Sequence, residues 1–299
     1  MHYPTSVLKT SVYLPEQLKA RLGHLAQRSG RSEADLIRSA IEAAVDVVGE
    51  PTQSPPSPRP GHLVGIGVGP GAADLLTSRA LDALRRASVV VAPTTDDTAT
   101  GRAEAIVREA APGVVVERLV FAMTPDQEQR WAALTTAAER VVELLDAGEE
   151  VAFITLGDPN LYSTFSSIAE LVTERRAHTL IETVPGVMAF QELAARSGTV
   201  LADDQQSLMI LPANEARMSA EESPVTTALH DAACTVILYK GGRQVARLAE
   251  RLEEGARLDK AVMGELLGLP GERIAPLHEV ASQPATYLSA VIVPATEQP

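Results

Sequence analysis

One stretch, residues 61–81 (GHLVGIGVGPGAADLLTSRAL), limits the folds open to this chain more than any other. An apolar run at 63–68 enters the glycine-rich turn GVGPG (67–71). Apolar residues at Leu75, Leu76, Ala80, Leu81 and Leu84 then follow helical spacing. Strand, glycine turn and helix open an α/β nucleotide-binding unit, in which glycines let backbone approach a ligand and the helix N-terminus offers unpaired N–H groups. A dinucleotide fingerprint fits poorly. It needs a third glycine, and an acid about 20 residues on at the end of the next strand. Pro70 holds the place of that glycine, and the strand at 89–91 runs into Ala92, Pro93, Thr94 and Thr95 with no acid. Two readings remain: a tight turn with no ligand, and a turn that meets a ligand in another way.

Further strand-and-turn units follow. Helical periodicity covers 103–111 and 131–148, with a strand at 114–119 between them. Residues 151–156 form a continuous apolar run, as expected of a parallel strand covered on both faces. That run ends in LGDPNLYST (156–164), the position where open α/β sheets bind ligands. Gly-Asp-Pro is also ordinary turn chemistry, but beside the first glycine turn in one sheet a shared site is the favoured reading. TVPGVMA (183–189) follows a strand at 179–184 and opens a helix through Arg196. A second α/β unit then has strands at 208–211, 235–239, 261–266 and 288–293, and a helix at 245–254.

Aliphatic side chains must build the core, because hydrophobic residues make up 45% of the 299-residue chain and aromatics only 3%. No apolar run reaches membrane-spanning length and the first residues lack a signal peptide's apolar stretch, so a cytoplasmic protein is expected. The single cysteine, Cys234, lies in an apolar run and reads as a buried small hydrophobe. Residues 1–60 hold seven of the 26 basic and six of the 39 acidic residues, leaving 19 against 33 in the rest. That surface disfavours non-specific nucleic-acid binding, and an anionic substrate would need local Lys or Arg.

Residues 7–48 read as a separate module. Residues 7–14 alternate as a strand, with Lys9, Ser11 and Tyr13 on one face. A helix follows Pro15 with Leu18, Leu22 and Leu25 in register, Gly30 breaks it, and Ser32 with Asp35 caps a second helix. Such a unit cannot bury a core alone. Its pattern resembles the ribbon-helix-helix family of DNA-binding and antitoxin proteins. The resemblance implies paired strands from two chains, with Lys9, Ser11 and Tyr13 facing the major groove if DNA is bound. Dimerisation without DNA is slightly favoured by the module's near-zero charge. Residues 49–60 (GEPTQSPPSPRP) form a proline-rich linker.

The order of motifs over 61–299 resembles the tetrapyrrole methylase family, on GVGPG (67–71), LGDP (156–159) and VPG (184–186), each after its strand. LVFAMT (119–124), ITLGDPNLYSTFS (154–166), SLMILPA (207–213), YKGGR (239–243), GLPGERI (268–274) and YLSAVIV (287–293) resemble the branch acting on precorrin-2 at C20 in cobalamin biosynthesis. Ala122 and Met188 depart from that branch's pattern. The resemblance implies an α/β fold with two α/β domains flanking a cleft, here 61–184 and 185–299, preceded by the ribbon-helix-helix-like module at 1–48. It implies S-adenosyl-L-methionine as cofactor, bound by Pro70, Gly157, Asp158, Leu161, Met188, Ala189, Ala213, Tyr239 and Lys240, with Asp158 the candidate for a charge-assisted hydrogen bond. Lys240 and Arg243, with Tyr162 and Ser163, are the candidates for the carboxylate-rich tetrapyrrole substrate. No Ser-His-Asp set and no Cys/His metal spacing stands out, and no single essential catalyst is assigned. A homodimer is expected. The alternatives are a DNA-binding regulator whose methylase-like part senses cofactor or tetrapyrrole, and a related methylase with another acceptor.

Overall fold

The computed structural model describes residues 16–48, 61–95, 98–121, 126–220, 223–283 and 285–296. Two compact units result, Met1–Ser57 and Pro58–Pro299. The first contains helices α1 (Glu16–Ser29) and α2 (Glu33–Val48). Gly30 separates them at φ +66°, a conformation that favours glycine. Ser32 caps α2, its hydroxyl accepting from the Asp35 N–H at 3.1 Å. Lys19 and Glu33 form an ion pair between the helices. Leu18, Leu25 and Ile41 stay exposed. The expected strand at 7–14, with Lys9, Ser11 and Tyr13, and the linker at 49–60 lie outside the described residues.

The second unit holds two sheets. The first is wholly parallel, in the order β3-β2-β4-β1-β5, from β1 (His62–Gly67), β2 (Val89–Thr94), β3 (Val116–Val120), β4 (Glu150–Thr155) and β5 (Leu180–Val184). Side chains of the central strand β4 alternate between two cores. Val151 and Phe153 pack with α5 (Gln127–Asp146) and α6 (Phe165–Arg175). Ala152 and Ile154 pack with α3 (Ser78–Arg86) and α4 (Arg102–Ala110). Burial on both faces explains the continuous apolar run.

The second sheet runs β6-β7-β10-β8-β9, from β6 (Ser207–Pro212), β7 (Cys234–Tyr239), β8 (Val262–Glu265), β9 (Arg273–Pro276) and β10 (Ser289–Val293). Only β6 and β7 are parallel. One face packs on α7 (Ala189–Ser197), through Phe190 and Leu193. The other packs on α8 (Glu215–Ser219), α9 (Pro224–His230), α10 (Val245–Glu254) and α11 (Leu277–Val280). Cys234 is buried there. Arg257 is buried too, its guanidinium donating to the carbonyls of Leu229, Asp231, Cys234 and Pro294 at 2.6–3.0 Å. Among the described residues no helix is long and apolar enough to cross a membrane.

Two expectations are corrected. The glycine turn does not lead straight into a helix: residues Ala73–Leu75 form a 3-10 turn, Leu76 is extended, and α3 starts only after Thr77. The Thr77 hydroxyl accepts from the Ala80 N–H at 3.1 Å, so the cap fixes the start there. The second correction is β9, a four-residue strand between β8 and β10 that the sequence reading omitted.

Candidate functional site

Strand register brings three turns to one edge of the first sheet. Gly67 at the end of β1 pairs with Thr155 at the end of β4, and Ile66 pairs with Val184 at the end of β5. The turns then interlock through backbone. The Gly157 N–H donates to the Gly69 carbonyl at 2.8 Å. A Cβ on Gly67 would stand 2.4 Å from the Gly157 carbonyl oxygen, and one on Gly186 would stand 2.0 Å from the same atom. These two glycines are required because three main chains touch. The first turn also meets the second sheet: a Cβ on Gly71 would lie 1.9 Å from the Leu267 carbonyl oxygen.

Asp158 belongs to this framework. Its carboxylate accepts from the Asn160 N–H at 2.8 Å and the Gly186 N–H at 3.1 Å, joining the second turn to the third. Its side chain meets the backbone of the neighbouring turn, and Asp158 is not among the residues of the cavity wall.

A cavity of about 610 Å³ opens between the sheets at this edge. Pro70, Gly157, Leu161, Met188, Ala189, Tyr239 and Lys240 line it, as do Tyr162 and Ser163. Ala213 and Arg243 do not. Ala213 is buried and donates its N–H to the Tyr239 carbonyl at 2.7 Å. Arg243 is exposed in the 3-10 turn Gly242–Gln244.

Across the cavity the two sheets are linked by aromatic groups. The Tyr162 hydroxyl donates to the Ile210 carbonyl of β6 at 2.9 Å. Its ring meets Tyr239 edge-on, with centroids 6.4 Å apart, and the Lys240 ammonium sits 5.7 Å from its centroid. Tyr162 at φ +53° and Lys240 at φ +61° are both in the left-handed region, strain of about 1–3 kcal/mol each that clusters at functional sites. The Tyr239 oxygen accepts from the Phe190 N–H at 3.0 Å, and burial holds this phenol neutral well above its ordinary range.

The sequence reading missed three parts of the wall: Thr94 and Thr95 at the end of β2 with Thr100–Ala103 beyond it, Leu266, Leu267 and Leu269 after β8, and Tyr287–Ala290 at the start of β10. The strand-end rule applied to β2 could have found the first. GLPGERI and YLSAVIV signalled the others without a role. Glu104 anchors the first part. Fully buried, it accepts from Arg118 Nε at 2.7 Å and Arg108 Nε at 2.8 Å, and Arg118 also donates to the Thr100 hydroxyl at 3.2 Å. The Arg118 hydrogen bonds hold the Glu104 carboxyl below the usual carboxylate range.

Among the described residues, the cavity wall has no Asp or Glu and two cations, Arg102 and Lys240. In so acidic a chain, the described wall is locally positive.

The geometry thus defines a two-sheet α/β protein with a ligand cleft at the carboxyl ends of its parallel strands. The chain belongs to the tetrapyrrole methylase family: residues 62–281 match the model of the tetrapyrrole (corrin/porphyrin) methylases. Residues 9–46 match that of the ribbon-helix-helix protein, copG family. The chain is 32% identical over 238 residues to cobalt-precorrin-2 C(20)-methyltransferase of Salmonella typhimurium, covering 78% of this chain and 96% of that one. It is 30% identical to precorrin-2 C(20)-methyltransferase of a Sinorhizobium species, covering 78% and 95%. The solved structure of a cobalt precorrin-4 methyltransferase superposes with a TM-score of 0.60 at 20% identity, over 80% of this chain and 96% of that one.

Proposed function

We propose that this protein is an S-adenosylmethionine-dependent C-methyltransferase that places one methyl group on precorrin-2 at C20, in cobalamin biosynthesis. The observation that carries the reading is the likeness to the C(20)-methyltransferases, which spans nearly their whole length. The cleft fits such a cofactor in two respects. Its volume of about 610 Å³ lies inside the range of about 300–1,000 Å³ for small-molecule sites. Its wall combines apolar Leu161 and Met188 with hydroxyls and turn backbone, suited to a nucleoside and a thioether chain.

When bound, S-adenosylmethionine supplies a methyl group already activated on sulfonium. The chain's task is therefore alignment and exclusion of water rather than strong base catalysis. Pro70, Gly157, Leu161, Met188 and Ala189 would hold the cofactor from the first sheet's turns, and Tyr239 and Lys240 from the second sheet. Asp158 and Ala213 act one step back, fixing the turns that carry those residues. Tyr162, Ser163 and Lys240 face the macrocycle. Tyr239, kept neutral by burial, is a positioning group and not a base near pH 7.

The N-terminal module makes the enzyme a homodimer. Leu18, Leu25 and Ile41 support this, since two amphipathic helices leave them exposed where a second copy would cover them. The ribbon-helix-helix match favours one further reading, a regulator that binds DNA through residues 9–46. Anaerobic incubation with precorrin-2 and labelled S-adenosylmethionine separates the two. Gain of one labelled methyl by mass spectrometry is the expected result. Operator binding in a gel-shift assay without turnover would favour the regulator.

A further inference from the structure

Charge on the cleft wall points to a residue that none of the sequence motifs contains. We propose that Arg102 is the substrate-anchoring residue of the first domain, binding a carboxylate of the tetrapyrrole opposite Lys240. The proposal rests on the functional reading above and names how that site recognises its acceptor.

Four observations carry it. Arg102 and Lys240 are the cations of the described wall, and they come from different sheets, so a polyanion lying in the cleft meets a positive group on each side. Among the described residues neither is paired with an acid. Arg102 makes no hydrogen bond or ion pair among the described residues, and Lys240 has only the Tyr162 ring. The nearby guanidinium groups are already committed, because Arg108 and Arg118 both bond the buried Glu104. Those bonds to the buried Glu104 brace the first turn of α4, so Arg102 is mounted on a fixed element. Arg243 stands outside the wall.

Arginine suits the role because its planar fork matches a carboxylate with two parallel hydrogen bonds, whereas lysine offers a point charge. The polar rim around it includes Thr95 and Thr100, hydroxyls able to complete a carboxylate's remaining contacts. The thioether at Met188 and the side chain of Leu161 lie on other parts of the wall, which separates recognition of the acidic periphery from recognition of the cofactor.

The test uses the full chain and its Arg102→Gln and Arg102→Lys variants, with two readouts. In steady-state methyl transfer, Arg102→Gln should raise KM for precorrin-2 about tenfold or more, while kcat stays within about twofold and S-adenosylmethionine affinity is unchanged. Arg102→Lys should recover part of that loss, and the salt dependence of KM should be weaker in Arg102→Gln than in the parent. The second readout needs no turnover: quenching of uroporphyrin III fluorescence, an octacarboxylate probe, should report about tenfold weaker binding by Arg102→Gln. Unchanged probe binding or unchanged KM overturns the anchor. If the parent chain binds the probe in an Arg102-dependent way but transfers no methyl to precorrin-2, the functional reading fails and the anionic site stands.

Discussion

One methyl group added at Gly186 would place a Cβ 2.0 Å from the Gly157 carbonyl oxygen, a contact that only a shift of main chain could relieve. Gly157 differs. Its φ of +67° makes any side chain cost about 1–2 kcal/mol, but the Cβ would meet only the movable Met188 thioether, at 3.0 Å. Gly186→Ala should therefore destabilise by about 3 kcal/mol, clearly more than Gly157→Ala. Urea unfolding of both variants checks the order, and equal losses would contradict the packing account. Glu104 gives a pH prediction. Its carboxyl is held low by Arg118, so its contribution is fully present above its unfolded pKa and is lost as pH falls through the lower folded value. The stability advantage of the parent over Glu104→Gln should hold at neutral pH and shrink in acid, as followed by unfolding at a series of pH values. At this scale the glycine positions were legible in the sequence but their reason was not, because spacing shows where a side chain is forbidden and not which atom forbids it. Arg102 was invisible for a related cause: nothing local marks an arginine that only the sheet register brings to the cleft.

Elements end where local chemistry stops them, and this separates what was readable from what was not. The continuous run of β4 and the Ser32 cap of α2 carry strong local signals, and both are present. The start of α3 was misplaced because apolar spacing at Leu75 and Leu76 continues through a 3-10 turn, while the Thr77 cap decides the boundary. The strand β9, Arg273–Pro276, is too short and too close to proline to show alternation. The start of α7 depends on Tyr239, which accepts from the Phe190 N–H. Tyr239→Phe should strand that buried donor, cost about 1–3 kcal/mol and weaken S-adenosylmethionine binding, since Met188 and Ala189 sit on the same turn. Calorimetric titration alongside thermal unfolding measures both, and unchanged affinity would detach α7 from the site.

For the whole molecule, the two-sheet architecture was legible because strand and turn signals recur in order, while the mixed pairing of the second sheet was not, since the direction of β8 and β10 depends on partners far away in sequence. Against the acidic balance of the chain, the described residues of the cleft wall include no Asp or Glu and two cations, Arg102 and Lys240. Assembly belongs to this scale. Sedimentation of the parent should give a dimer at micromolar concentration, and Leu25→Glu with Ile41→Glu should shift it to monomer; a dimer unaffected by both would place the interface elsewhere. The central claim is tested most directly by carbon-13 NMR of the product formed anaerobically from precorrin-2 and S-adenosylmethionine labelled in its methyl carbon. The account predicts one new labelled methyl, attached to C20 of the macrocycle. A methyl at another carbon, or none with cofactor bound, would contradict it.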